Sequence, residues 1–221
     1  MISIALDGPS GAGKSTLARQ LSEALGYRYV DTGAIYRSLT LGLLESDVPF
    51  SEINQETLAQ FKVTIRYDES GLQRMFLNGK DITTAIRANE VSKMTSKVAS
   101  IPDVRDFLLE IQRETAENYD VIMDGRDIAT VVLPNADIKI FLTASAEERA
   151  KRRVKELEER GESVSFDDIL LEITGRDHRD INREIAPLRQ VETAFLVDTS
   201  DMDFQESFQY MLKLIQEELA K

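Results

Sequence analysis

Short apolar runs and longer amphipathic stretches alternate along the chain. Residues 2–6, 29–30, 121–123, 138–142 and 195–197 are apolar runs bounded by polar or turn residues, as in buried strands. Helical spacing of apolar positions fills most of the intervals, over 14–25, 33–44, 104–117, 146–160, 166–183 and 204–219. Strands that alternate with helices predict a parallel sheet covered on both faces. Ser145, followed three residues later by Glu148, reads as a helix start. Gly26 and Gly161 read as left-handed helix stops. One region breaks the rhythm. "FKVTIRY" (61–67) alternates with period two, and "LQRMFLNGKDI" follows after "DESG", which predicts a β-hairpin or small antiparallel sheet. We read 40–100 as an insertion: a helical start, the hairpin, then a helical segment from Ala88. Such an insertion is either a flap that grips substrate or inert decoration.

Composition narrows the class. The chain has 221 residues, 42% hydrophobic and 30% charged, with a formal charge of −12 and no cysteine. Disulfides and thiolate metal sites are excluded. No apolar run approaches a membrane span, and the N-terminal stretch lacks the basic flank of a signal peptide, so a cytoplasmic protein without membrane contact is expected. The acidic balance argues against a general nucleic-acid binder. No long apolar helix face is left to spare, so a monomer is expected. Positive charge is concentrated in Arg149, Lys151, Arg152 and Arg153, and again in Arg176, Arg179, Arg183 and Arg189. Glutamates interleave the first group, so it reads either as helix-surface ion pairing or as an anion site.

The strongest chemical signal is Gly8, Pro9, Ser10, Gly11, Ala12, Gly13, Lys14, Ser15, with Thr16 following. It matches G-x-x-x-x-G-K-[ST] at every fixed position, with a strand before it and a helix after. Inward-pointing backbone N–H groups and the helix N-terminus favour phosphate. Lys14 can reach the β- and γ-phosphates and the Ser15 hydroxyl can ligate Mg²⁺. The loop therefore predicts a P-loop NTPase fold with ATP or GTP and Mg²⁺. No N-K-x-D segment marks a guanine site. Asp124, ending the run 121–123, resembles a Walker-B carboxylate, but Gly125, Arg126 and Asp127 follow where a motor ATPase carries a glutamate. Asp7 either acts through water on Mg²⁺ or caps the turn. His178, the single histidine, reads as an exposed helix residue.

"YVDTGAIYR" (29–37) and "DGRD" (124–127) both end strands, at the sheet edge where ligands bind in open α/β folds. Arg37, Arg126 and Arg183 can converge there on a second anion, as joining two polyanions requires. The phosphate loop, "DTGAIYR", "DGRDIATVV.P.A..KIFL.AS.EERA.RR" and "RD.RD.NR..APL", in this order, resemble bacterial cytidylate kinases over essentially the whole chain.

That resemblance implies a five-stranded P-loop core over 1–39 and 101–221, a lid within about 149–165, and an NMP-binding insertion over 40–100. It implies transfer of the ATP γ-phosphoryl group to CMP or dCMP. By position, Arg37, Arg126 and Arg183 are implied to grip the CMP phosphate. Ser96, Arg105 and Asp127 are implied to read the cytosine edge, and Arg176 and Asp180 to hold the sugar. Thr32 stands where relatives often carry serine, with the hydroxyl retained. Arg152 and Arg153 are implied to close over the moving phosphoryl group. A related kinase acting on UMP or AMP, and a nucleotide-dependent switch, are the alternatives.

Overall fold

The computed structural model describes residues 1–46, 48–159 and 161–221. The elements in chain order are β1 (Ser3–Asp7), α1 (Lys14–Leu25), β2 (Arg28–Asp31), α2 (Thr32–Glu45), α3 (Gln55–Leu58), β3 (Val63–Tyr67), β4 (Gln73–Leu77), β5 (Lys80–Asp81), α4 (Asn89–Val98), α5 (Pro102–Asn118), β6 (Val121–Gly125), β7 (Ile138–Thr143), α6 (Ala146–Glu159), α7 (Phe166–Asn182), β8 (Phe195–Asp198) and α8 (Phe204–Leu219). The five expected parallel strands form one sheet in the order β2-β6-β1-β7-β8. The expected end of the arginine-rich helix, Arg160, lies outside the described residues.

Burial explains which strands were easiest to see. The central β1 and β6 are covered on both faces, so their sequences are nearly continuous apolar runs. On one face α1 and α8 close a core around Ile4, Leu6, Leu21, Ile122, Met211 and Ile215. On the other, α2, α5 and the insertion pack on Val30, Ile35, Leu39, Leu108 and Met123. The boundaries follow local chemistry: Gly26 ends α1 with φ 73°, and Ser145 Oγ accepts from the Glu148 N–H at 3.2 Å to begin α6.

The period-two region is a three-stranded antiparallel sheet, β3-β4-β5. Its third strand, two exposed residues, lacks an apolar pattern of its own. It docks on the outer edge of β2: Tyr67 Oη donates to the Tyr29 carbonyl at 3.3 Å, and the Arg28 guanidinium lies over the rings of Tyr67 and Tyr119. Residues 128–132, "IATVV", look like strand by composition but form a π-helical turn. The cause is distant in sequence. Both Asp7 carboxylate oxygens accept main-chain N–H groups, from Ile128 and Ala129, each at 2.8 Å. Those bonds hold the chain in a turn immediately after β6.

Candidate active site

The carboxyl ends of β1, β2 and β6 meet at one sheet edge, and the Gly8–Ser15 loop wraps it. Gly8 is required by contact: a Cβ there would lie 1.9 Å from the Leu142 carbonyl oxygen. Gly13 caps α1 in the left-handed region, φ 84°, which turns the loop into the helix. Lys14 is buried and its Nζ donates to the Pro9 carbonyl at 2.8 Å. Ser15 Oγ donates to Asp124 Oδ2 at 2.9 Å, and Tyr29 Oη donates to Asp124 Oδ1, also at 2.9 Å. Burial raises the Asp124 carboxyl above its ordinary range; the neighbouring Asp31 adds to this and Lys14 opposes it. Asp7 is pushed up to about 6 by burial, against its two main-chain hydrogen bonds. Its oxygens accept from the turn after β6, a contact different from capping of the phosphate-loop turn that follows it in sequence.

Across from the loop is a group of cations. Burial, then repulsion from Arg126, holds the Lys14 ammonium well below the usual lysine range, with Arg176 adding to it. Arg176 is pushed down to about 10, first by burial, then by Arg126, with Arg37 also repelling and Asp180 opposing. Its Nε is buried without a hydrogen-bond partner among the described residues. Lys14, Arg126 and Arg176 thus lie close enough to repel one another, as do Arg37 and Arg176, with Asp7, Asp31, Asp124, Asp180 and Glu172 interspersed among them. Arg37 is paired with Asp31 at 2.8 Å, and Arg126 Nε with Asp180 Oδ2 at 3.0 Å. The buried Arg176 nitrogen that lacks an acceptor is costly unless a ligand atom supplies one.

Beyond these cations lies a buried ionic cluster. Asp127 is ion-paired with Arg105, and its second oxygen accepts from Arg183 at 3.3 Å. Arg105 NH1 donates to the Ala99 carbonyl at 3.1 Å, at the end of α4, the helix that carries the half-buried Ser96. The Arg105 guanidinium lies over the Tyr36 ring, and burial pushes the Tyr36 phenol up to about 12. Thr32 Oγ1 donates to the Asp124 carbonyl at 2.7 Å, so its hydroxyl ties the start of α2 to β6. Arg37, Arg105, Arg126, Asp127, Arg176, Asp180 and Arg183 are therefore joined by direct pairing or mutual charge.

Arg152 and Arg153 are placed differently. Arg152 donates to the Thr199 carbonyl at 2.6 Å and to Thr199 Oγ1 at 3.2 Å; Arg153 pairs with Glu156 at 2.8 Å on the exposed side of α6. The guanidinium of that run which touches the phosphate loop is Arg149. Its NH1 donates to the Ser10 carbonyl at 2.9 Å and pairs with Asp177 at 2.6 Å, and Asp177 Oδ1 accepts the Ser10 N–H at 3.2 Å. Spacing within "ERAKRR" does not distinguish Arg149 from its neighbours; its partner Asp177 comes from another helix. In the second cluster, Arg179 and Arg189 are exposed, as is His178, while Arg176 and Arg183 face the site.

A parallel sheet, a glycine-rich phosphate loop on its first βα turn and a cationic wall facing that loop define a P-loop nucleotide-binding enzyme. The chain belongs to the cytidylate kinase family, whose family model matches residues 4–217. It is 45% identical over 214 residues to a cytidylate kinase of Carboxydothermus hydrogenoformans, covering 96% of each chain. It is 46% identical over 215 residues to one of Caldicellulosiruptor saccharolyticus, covering 96% of this chain and 95% of that one. Among solved structures, a gluconokinase from Sinorhizobium meliloti 1021 aligns over 99% of this chain and 95% of its own, with a TM-score of 0.50 at 15% identity, a likeness of fold.

Proposed function

We propose that the chain transfers the γ-phosphoryl group of ATP to CMP or dCMP, giving ADP and CDP or dCDP. The observation that carries this reading is a set of guanidinium groups near the phosphate-loop lysine: Arg37 held by Asp31, Arg126 held by Asp180, and Arg176 with a buried nitrogen that has no acceptor among the described residues. A hydrolase or a switch has one polyanion to hold. Two nucleotides brought end to end need charge from both sides before their phosphates can approach in line.

In this reading the main-chain N–H groups of Ser10 to Thr16 and the Lys14 ammonium hold the ATP phosphates. Lys14 exchanges its Pro9 carbonyl for a phosphate oxygen. Arg37, Arg126 and Arg183 take the CMP phosphate, while Arg176 and Asp180 meet the sugar. The attacking phosphate oxygen is already ionised, so no general base is needed; positioning and a prearranged positive field lower the barrier. The residues present also fit Mg²⁺. One hydroxyl, Ser15, and one buried carboxylate, Asp124, stand 2.9 Å apart beside the loop. That is the small donor set suited to an ion that keeps most of its water and substrate oxygens. Mg²⁺, when bound there, supplies further neutralisation of the β- and γ-phosphates.

Base choice follows from Asp127, Arg105 and Ser96. Cytosine offers an exocyclic amine as donor, with N3 and O2 as acceptors. Asp127 retains acceptor capacity for the amine after bonding Arg105 and Arg183, since an ionised carboxylate has about four lone-pair sites. Ser96 adds a hydroxyl, and Arg105 donates to the ring edge. Uracil would set its O4 against the Asp127 carboxylate. In domain terms, 1–39 and 101–221 form the core, with a lid within about 149–165, and 40–100 forms the NMP-binding insertion. Arg152 and Arg153 act from the lid. The enzyme works as a monomer in the cytoplasm, where both nucleotides are free in solution.

The test is ADP release from ATP and Mg²⁺ with CMP, dCMP, UMP, AMP or GMP as acceptor. The expected ranking puts CMP and dCMP well ahead. ADP release that does not depend on an acceptor would overturn the transfer reading. A preference for UMP or AMP would overturn the base assignment alone.

A further inference from the structure

β2 is an edge strand of the parallel sheet, so among the described residues its outer main-chain groups pair with no other strand. At Asp31, a side chain supplies one. Gln73, the first residue of β4, accepts the Asp31 N–H on Oε1 at 2.7 Å and donates from Nε2 to the Asp31 carbonyl at 3.2 Å. The same Nε2 lies 3.1 Å from Met75 Sδ. A primary amide presents a donor and an acceptor side by side, so it can pair with both main-chain groups of one residue.

Asp31 passes this restraint to the site. Its Oδ1 accepts the Ala34 N–H at 2.8 Å and so starts α2, and its Oδ2 pairs with Arg37 at 2.8 Å. A main-chain shift at Asp31 would displace both carboxylate oxygens and the guanidinium they hold. The insertion thus reaches the second-phosphate site through one amide, at the wall of a cleft of about 150 Å³ lined by Tyr29, Asp31, Ala34, Gln73, Met75 and Arg87.

We infer that Gln73 is a positioning residue for phosphate-acceptor binding: by clamping the main chain of Asp31 it fixes where Arg37 presents its guanidinium. The inference rests on the reading of Arg37 as a ligand of the CMP phosphate. In this role Gln73 acts through Asp31 and Arg37, not on a nucleotide. Its effect is specific because the rest of the hairpin is docked independently, through Tyr67 on the Tyr29 carbonyl and Arg28 between two rings.

Gln73→Met keeps the length of the side chain and removes both hydrogen bonds. Dissociation constants for CMP and ATP are measured by calorimetry in the wild type, Gln73→Met, Arg37→Ala and the double variant. Gln73→Met should weaken CMP about three- to tenfold, the scale of one or two net hydrogen bonds, and ATP less than about twofold. In the Arg37→Ala background the same substitution should add less than about twofold, because the two residues act in series. Equal weakening of both nucleotides, unchanged CMP binding, or a full loss that persists without Arg37 would overturn the inference. If Arg37→Ala itself leaves CMP binding intact, the phosphate-site reading falls instead. Should Gln73→Met fail to fold, Gln73→Glu, which keeps the acceptor and loses the donor, is judged by the same comparison.

Discussion

Asp127 illustrates how much one side chain is asked to do. Its carboxylate holds two guanidinium groups, Arg105 and Arg183, and in the proposed site it also accepts the amine of the base. Asp127→Asn keeps the shape and removes the charge. It should raise KM for CMP by at least about tenfold, narrow the CMP-over-UMP preference, and leave KM for ATP within about twofold, since only one site is built on that hydrogen bond. Steady-state kinetics with both acceptors checks this, and an unchanged CMP-to-UMP ratio would remove Asp127 from base reading. The charge also matters to the fold: a buried arginine deprived of its partner is strongly destabilising, by about 3–5 kcal/mol when a whole partner is removed. Kinetic effects should therefore be read alongside an unfolding curve. Asp7, by contrast, has both oxygens engaged by main-chain N–H groups of a distant turn. Sequence position alone left it two roles, and its partners at residues 128 and 129 could not be found by spacing.

At the level of elements, α6 and α7 are linked through the phosphate loop. Arg149 from α6 and Asp177 from α7 pair with each other, and each takes one main-chain group of Ser10. The loop conformation is thus held from outside as well as by its own glycines. Asp177→Ala leaves the buried Arg149 without its carboxylate. It should cost about 3 kcal/mol of stability and weaken ATP more than CMP. Denaturant unfolding and nucleotide titration test the two parts separately; a loss shared equally by both nucleotides would contradict a specific effect on the loop. The long helices were legible because each has a continuous apolar stripe. β5 was not, being two exposed residues that pair only because β4 lies alongside. The turn at Ile128–Val132 was not, because its cause is Asp7, more than a hundred residues earlier in sequence.

For the molecule as a whole, phosphoryl transfer requires that water be kept from the γ-phosphate, which in the proposed reading is done by closure of the lid and the insertion over the nucleotides. Arg153, an exposed partner of Glu156, is free to be redeployed at little cost. Arg153→Ala should lower kcat about tenfold or more while changing stability by less than about 1 kcal/mol, since surface ion pairs contribute little. Normal turnover would assign Arg153 to helix-surface pairing, the other reading its sequence allows. The chain by itself determined the parallel architecture, the phosphate loop and the sheet edge at which the loop and the strand-end motifs meet. These follow from local spacing: apolar runs that must be buried, glycines that let a loop close, and strand ends that fall on one side of a parallel sheet. Only the tertiary structure decided that Arg149 rather than Arg152 or Arg153 braces the loop, that Asp7 caps a distant turn, and that Gln73 of the insertion clamps Asp31. Each of these depends on a partner brought close by folding, and hydrogen bonds and ion pairs act over a few ångströms in space, whatever the separation along the chain.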